Sequence, residues 1–355
     1  MKKRIDNRFL QRLPVRGSQF AAPEDVVRDW TDSPHIDLAV EAREFAHGLN
    51  PEQLDIPGVD MQEHKEEQIS VTRIHVQTEA GARAIGKVPG FYTTLEVPDL
   101  RHKDPDLQER VAVRLAEELE QYVRLPQNAV VLVIGLGNWN VTPDALGPFV
   151  VESLFVTRHL FSIVPEVIGD GFRSVCALAP GVLGLTGIET SEIVRGVVEN
   201  VHPDLVIAVD ALAARSIERV NATIQIADSG IHPGAGVGNH RKALTKETLG
   251  VPVVAIGVPT VLDAATIASD AMDLLLAHLE KNAPGNGAGQ ILNQFSREEK
   301  RALVGEVLQP LGNNLMVTPK EIDEFVEDVA HIVAMGLNLA LHPAMDLDDA
   351  KSLTH

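Results

Sequence analysis

Short apolar runs alternate with amphipathic stretches along most of the 355 residues of this chain. Between residues 107 and 123, Leu or Val recurs at every fourth position, which is typical of a helix that buries one face. Residues 70–78 alternate apolar and polar side chains and predict a half-buried strand, as do residues 219–228. Continuous apolar runs of strand length predict strands buried on both faces. These runs are residues 129–134, 174–179, 205–212 and 251–258.

Helices are predicted in the segments between these strands. The last helix has the clearest start, because Thr318 and Pro319 precede an acidic first turn. Beyond the helix at 106–125, the predicted helices cover 145–160, 190–201, about 261–281 and 319–341, with a loop at 282–290.

Buried strands that alternate with helices indicate the fold class. We predict an α/β fold with a mostly parallel sheet and helices on both faces, which makes three layers. The core is expected over about 106–342, with an additional small strand-containing N-terminal region around 68–100.

Composition limits the classes of partner. The chain has 31 basic and 50 acidic residues, a net charge of −19, and such a surface repels nucleic-acid phosphates. Cys176 is the one cysteine, which predicts no disulfide and fits a reducing cytoplasm. No apolar run approaches the length of a membrane span. We therefore expect neither direct nucleic-acid binding nor a membrane segment.

The first 37 residues differ in charge from the rest. They hold seven basic and six acidic residues, a net of +1, so residues 38–355 carry −20. They also lack clear hydrophobic periodicity. We interpret 1–37 as a separable N-terminal arm and 38–355 as the main domain, although a frayed terminus with incidental basic residues is the alternative.

Residues 135–147, GLGNWNVTPDALG, follow a buried strand with the Gly-x-Gly spacing of phosphate-binding loops. Asn140 stands where the last glycine of the dinucleotide fingerprint belongs, and no Gly-Lys-Ser/Thr follows, so both nucleotide fingerprints fail. The loop leads instead to an acid, Asp144, at the end of a strand where parallel sheets bind ligands. The other residues of the loop predicted to line a site are Gly135, Gly137 and Asn138.

A second acid, Asp210, follows five apolar residues in LVIAVD. A carboxylate in such surroundings costs free energy unless something compensates for its burial. Each acid has a structural alternative, since Asp144 could cap the next helix and Asp210 the next turn. Two acids at neighbouring strand ends favour a catalytic pair, in which one is ionised as a base and the other protonated as an acid.

The segment after residue 227 adds Asp228 and His232 as candidates to line the site. The carboxylate pair needs no metal and no cofactor. A second hypothesis is a metal-dependent or metal-sensing enzyme in which Asp144, Asp210 and His232 bind a divalent ion, although no His-x-x-x-His spacing supports it. A third is a non-catalytic module that binds a nucleotide-like ligand through the Gly-x-Gly-Asn loop.

Seven stretches resemble the germination (spore) endopeptidase of endospore-forming bacteria, a family that degrades small acid-soluble, DNA-coating spore proteins. They span nearly the whole chain and keep the family's order and spacing. The stretches are IDLAVEARE (36–44), GLGNWNVTPDALGP (135–148), PGVLGLTGIETSEIV (180–194), PDLVIAVDALAAR (203–215), DSGIHPGAGVGNHRK (228–242), GVPTVLDAATIASDAMD (257–273) and GLNLALHP (336–343).

The resemblance implies an atypical aspartic endopeptidase with Asp144 and Asp210 as the matching pair. It also implies a distant relation to hydrogenase-maturation endopeptidases, in which two acids and a histidine recognise nickel. The family usually has Thr-Asp-Thr-Gly-Ile where this chain has Ala-Asp-Ser-Gly-Ile, which leaves the role of Asp228 open.

The resemblance further implies a zymogen that removes its own N-terminal segment. The matching bond is Asp37–Leu38, within an acid, bulky apolar, alanine pattern similar to the sites that the family cuts in its substrates. Small acid-soluble spore proteins as substrates, a homotetramer and a location in the cytoplasm of the spore core are implied in the same way.

Overall fold

A computed structural model describes residues 36–49, 55–166, 168–232, 242–282 and 315–353. Most of the arm predicted over 1–37, and residues 283–290 of the predicted loop, lie outside the described residues. The bond Asp37–Leu38 lies within them.

The described strands form one sheet of nine: β1 (Val59–Glu66), β2 (Ile69–Val76), β3 (Gly90–Glu96), β4 (Val130–Gly135), β5 (Ser174–Leu178), β6 (Leu205–Ala214), β7 (Thr223–Ala227), β8 (Val253–Asp263) and β9 (Met316–Val317). Their order is β1-β2-β3-β7-β8-β6-β4-β5, and β9 pairs with β8. The half of the sheet formed by β8, β6, β4 and β5 is parallel. The other half, from β1 to β7, is antiparallel, and β7 joins β8 in antiparallel register.

Helices lie on both faces of this sheet. In chain order the described α-helices are α1 (Ala39–Leu49), α2 (Glu79–Ile85), α3 (Pro105–Tyr122), α4 (Leu146–Glu152), α5 (Leu160–Ile163), α6 (Leu183–Thr186), α7 (Thr190–Val201), α8 (Lys246–Leu249), α9 (Ala264–Asn282), α10 (Ile322–Leu341) and α11 (Leu347–Ser352). One face, called face A, is covered by α3, α4 and α10. The opposite face, face B, is covered by α7 and α8 over the parallel half and by α1 and α2 over the antiparallel half.

The apolar runs are buried on both faces because successive side chains of a strand point in opposite directions. In β6, Ile207 and Val209 belong to the core of face A, whereas Val206 and Ala208 belong to the core of face B. The predicted three-layer α/β fold with added N-terminal strands is thereby confirmed.

Two predicted elements differ in extent. The helix expected over 145–160 ends at Glu152 and resumes only as the short α5. The chain between them leaves the helix to run beside β5, where the amides of Thr157 and Arg158 both donate to the Val175 carbonyl at 2.9 Å. Strand β6 continues past the predicted residue 212 to Ala214, because β8 pairs with it throughout.

Candidate active site

Strand order reverses between β4 and β6. The chain leaves β4 through α4 on face A to reach β5, and returns through α7 on face B to β6. The two connections diverge, which makes this the switch point of the sheet. Parallel α/β sheets bind ligands at such a point, in the crevice outside the carboxyl ends of the strands. Both predicted acids lie at this place in the fold.

Glycines let the loop after β4 fold back against the end of the strand. A Cβ on Gly137, whose φ is +120°, would lie 1.8 Å from the Asp144 carbonyl oxygen. A Cβ on Gly135 would lie 2.1 Å from the carbonyl oxygen of Gly147. The amide of Asn138 donates to the Asp144 carbonyl at 2.9 Å. These close approaches fix the segment that carries Asp144.

Asp144 ends a single 3₁₀ turn, Thr142–Asp144, that packs against β6 and β8. The Thr260 hydroxyl of β8 donates to the Pro143 carbonyl at 2.7 Å and secures this turn. The N-cap of α4 is Ala145, which makes no side-chain capping bond. The N-cap position of α4 is therefore Ala145 and not Asp144.

Asp210 lies inside β6 rather than at its end, beside Gly257 of β8. Its side chain points to face B with that of Ala208, and only 6% of the residue is exposed. One carboxylate oxygen accepts from the Ala211 amide at 2.9 Å. Because β6 continues beyond it, Asp210 caps no turn. The amide of Leu136, at the start of the loop that leads to Asp144, donates to the carbonyl of Val209 at 2.8 Å.

A row of buried polar residues crosses face B at the level of Asp210. Asp210 is in register with Gly257, Gly257 with Gln225, and Gln225 with Thr94 of β3. Directly paired residues point to the same face of a sheet. Since β8 lies between β6 and β7, the Cα atoms of Asp210 and Gln225 are two strand-to-strand distances apart, about 10 Å. The alternation in β7 suggested a solvent-exposed polar face, so sequence reasoning missed Gln225, which is buried.

The backbone on both sides of the predicted cleavage bond is hydrogen-bonded to Gln225 of this row. The Gln225 side chain accepts from the Ala39 amide at 2.7 Å and donates to the Asp37 carbonyl at 3.2 Å. The Lys87 ammonium donates to the same carbonyl at 2.6 Å. The Asp37 carboxylate accepts from the Ala213 amide at 2.9 Å, where the register of β6 with β8 shifts. Asp37 is therefore recognised through its backbone and its side chain.

The residues on either side of Asp37 are buried. Ile36 is buried, and Leu38 and Ala39 have no exposed surface. Leu38 belongs to the core cluster beneath α1 and α2. The bond thus lies within the protein fold, where another molecule has little access to it.

Two buried ionisable side chains near this bond, Lys87 and Glu41, have shifted pKa values. Burial lowers the pKa of Lys87 to about 8, against the opposing effect of the Asp37 and Glu41 carboxylates. Burial raises the pKa of Glu41, while hydrogen bonds from the Arg215 and Ser216 amides oppose that rise. These amides tie α1 to the segment after β6.

The structure places Asp228 away from Asp144. Because β7 is antiparallel to β8, the residue after β7 lies near the amino-terminal end of β8, away from the carboxyl ends of the parallel strands. Asp228 accepts there from the Phe91 amide at 2.8 Å and holds the start of β3. His232 is exposed and follows Ile231, which packs in the core of face B. Within the described ranges, no group of three or more His, Cys, Asp or Glu side chains is arranged to hold a metal ion.

Sequence comparison gives the family. A family model described as Germination protease matches residues 39–288 and 286–354. The chain belongs to the germination protease family. The match begins at the first residue of α1, one residue beyond the bond Asp37–Leu38.

Full-length relatives of the germination protease family agree with this assignment. The chain is 49% identical to the germination protease of Bacillus cereus (strain ATCC 10987 / NRS 248), over 91% of this chain and 97% of the relative. It is 50% identical to that of Bacillus cereus (strain G9842) and 49% identical to that of Bacillus mycoides (strain KBAB4), over the same shares. The protein is thus a germination endopeptidase, a hydrolase of peptide bonds. Within its described parts, no helix is long and apolar enough to cross a membrane.

Proposed function

We propose that this germination protease hydrolyses peptide bonds with Asp144 and Asp210, and that it removes its own residues 1–37 by cutting Asp37–Leu38. The observation that carries the proposal is the position of that bond. Its carbonyl binds Gln225, which shares the buried row of Asp210 on face B. The flanking residues are buried, which favours cleavage within one chain over cleavage by a second molecule.

The two carboxyl groups have separate roles in this proposal. One is ionised and takes a proton from water, whose oxygen then attacks the carbonyl carbon. The other is protonated and donates to the leaving nitrogen as the C–N bond breaks. Water and the amide yield one carboxyl group and one amine. No metal and no cofactor takes part in these proposed steps.

The proposed substrates in trans are small acid-soluble spore proteins in the cytoplasm of the spore core, and the proposed assembly is a homotetramer. The acid, bulky apolar, alanine pattern supports the substrate class because each feature has a matching contact here. The acid meets the Ala213 amide, and the apolar side chain fills the core below α1. The alanine amide is bound by Gln225.

The first test removes each carboxylate in turn. We expect Asp210→Asn and Asp144→Asn to release residues 1–37 more slowly than wild type by a factor on the order of 10³ or more. Each substitution removes a group that the proposed proton transfers require. Intact-protein mass spectrometry over time reports the loss of residues 1–37. Thermal unfolding checks that both variants are folded.

The matched control is Asp170→Asn, which changes an exposed aspartate in a turn outside the crevice and should process normally. If both crevice variants cut Asp37–Leu38 at the wild-type rate, the carboxylate pair is wrong. If chelator stops wild-type processing and added metal restores it, the metal-dependent alternative with Asp144, Asp210 and His232 replaces it.

A further inference from the structure

Two hydrogen-bond donors converge on one carbonyl oxygen. The Lys87 ammonium lies 2.6 Å and the Gln225 amide nitrogen 3.2 Å from the carbonyl oxygen of Asp37. Both side chains come from outside the Gly-x-Gly-Asn loop and from outside β6.

The orientation of the Gln225 amide follows from its neighbours. The backbone N–H of Ala39 can only donate, so the Gln225 oxygen must face it, at 2.7 Å. The amide nitrogen is then directed at the Asp37 carbonyl. Gln225 therefore binds the backbone on both sides of Leu38, which holds the bond Asp37–Leu38 in a fixed orientation.

Lys87 is placed by the end of α2. Gly86 ends this helix with a φ of +68°, a left-handed conformation that suits glycine. The Lys87 amide donates back to Ala82, and its side chain extends toward α1. Helix α2 is held in turn by Ala82 and Ile85 in the core below α1. The ammonium group is thus carried by a packed element rather than a free loop.

We propose that Lys87 and Gln225 are catalytic residues that stabilise the oxyanion formed at Asp37 during cleavage of Asp37–Leu38. This inference rests on the proposed self-processing and adds the electrophilic half of that site. Donors at 2.7–3.1 Å from a developing oxyanion typically account for about 10²–10³-fold in rate. In this structure the two donors lie 2.6 and 3.2 Å from the ground-state carbonyl oxygen of Asp37, within hydrogen-bond distance of the atom on which the oxyanion would form.

The chemical step balances with these groups. Water oxygen bonds to the Asp37 carbonyl carbon and gives up a proton to the ionised carboxylate of the pair. The carbonyl π electrons move to the oxygen, whose negative charge the Lys87 ammonium and the Gln225 N–H stabilise. The oxyanion collapses, the C–N bond breaks, and the protonated carboxyl group supplies the proton to the Leu38 nitrogen. The products are a free Asp37 carboxyl group and a free Leu38 amine.

The charge state of Lys87 gives the proposal a pH dependence. Its pKa of about 8 reflects burial, opposed by Asp37 and Glu41 on the side of α1. From β3, Tyr92 donates to the carbonyl of Val88, and the pKa of Tyr92 is raised to about 12, so it is neutral in this range. Lys87 therefore loses its charge as the pH rises through about 8, and processing should slow by up to about tenfold per pH unit above that value until it reaches the rate of a protein without a cation at this position.

The test measures processing of the full-length chain by intact mass. We expect Lys87→Met to slow the release of residues 1–37 about 100-fold or more. Gln225→Glu retains the acceptor for Ala39 but replaces the donor by a carboxylate, and should slow release at least as much. Lys87→Arg retains a cation with a far higher pKa, so it should restore part of the rate and abolish the decline above pH 8.

Matched controls are Lys65→Met and Gln62→Glu on exposed β1, both expected to process like wild type. The oxyanion role is overturned if Lys87→Met and Gln225→Glu release the arm at the wild-type rate while Asp210→Asn is inactive. It is overturned as well if wild-type processing shows no decline above pH 8, a measurement that needs no variant to fold. If Asp144→Asn and Asp210→Asn both process normally, the proposed carboxylate pair has failed instead.

Discussion

At the scale of single residues, the loop after β4 depends on positions that allow no side chain. Gly137 adopts a φ of +120° and leaves room for the carbonyl of Asp144, with which Asn138 forms a hydrogen bond. The glycines that resemble a phosphate loop thus serve to hold an acid close to a strand end.

We expect Gly137→Ala to lower the free energy of unfolding by about 1–3 kcal/mol, because a β-carbon strains the backbone and collides with the Asp144 carbonyl. Displacement of Asp144 should also slow processing. Urea unfolding measures the first effect and intact mass the second. Gly196→Ala is the control, since Gly196 lies in α7 with open space around it and should gain up to about 1 kcal/mol. A Gly137→Ala protein as stable as wild type would contradict the close approach.

Residue patterns in the sequence indicated part of the proposed site. Asp144 and Asp210 stand out because each is close to a buried apolar run, where a carboxylate needs a compensating interaction. Gln225 and Lys87 gave no such signal. Gln225 lies in an alternating strand whose polar face α1 covers, and Lys87 follows a helix end like many exposed lysines. Only the tertiary fold brings them to Asp37.

At the scale of elements, helix α10 connects separate parts of face A through His342, the residue that follows its last turn. His342 is fully buried. Its Nδ1 accepts from the Arg173 amide at 3.3 Å, and its Nε2 lies 3.2 Å from the Phe155 carbonyl. A carbonyl can only accept, so Nε2 carries the proton and the ring is neutral. Burial, opposed by the Phe155 hydrogen bond and assisted by the charge of Arg173, lowers the pKa of His342 to about 4.

We expect this histidine to make folding sensitive to acid. Below pH 6.5 the unfolded imidazole binds a proton that folded His342 does not accept until about pH 4, so stability falls as pH falls through this window. The limit for one proton is about 1.4 kcal/mol per pH unit. Unfolding free energies of wild type and His342→Gln, measured by urea at several pH values, isolate the contribution. Identical slopes for the two proteins would rule it out.

Element boundaries were harder to predict than element types. The runs over 129–134, 205–212 and 251–258 predicted three central strands because each is apolar and β-branched. The end of β6 was missed, since residues 211–214 are mostly alanine and extend as a strand only because β8 pairs with them. The end of α4 depends on Val175 of β5, which lies far away in sequence and binds Thr157.

At the scale of the whole molecule, the segment that begins at Leu38 is built into the core of the described chain. Leu38 and Ala39 lie in the core, and Glu41 ties α1 to the amides of Arg215 and Ser216. The family match also begins at Ala39.

A chain without residues 1–37 should therefore fold and be active in trans. We expect it to unfold within a few degrees of the full-length protein, to cut a small acid-soluble spore protein without prior processing, and to have about four times its chain mass by light scattering. Cleavage of the spore protein is followed on a gel. In the control, the truncated chain that carries Asp210→Asn should leave the spore protein uncut. An inert truncated protein, or one that does not fold, would contradict the assignment of 1–37 as a removable segment.

The attachment of α1 has a consequence for the direction of the proposed cleavage. Before the cut, Asp37 and Leu38 are held together by one covalent bond within one fold. After it, Glu41 keeps the new amine in place while the released segment dilutes into solvent, so resynthesis would require a bimolecular encounter. The high effective concentration that favours reaction within a chain is then lost. The proposed processing would thus be irreversible, because only one of the two new chain ends stays attached to the fold.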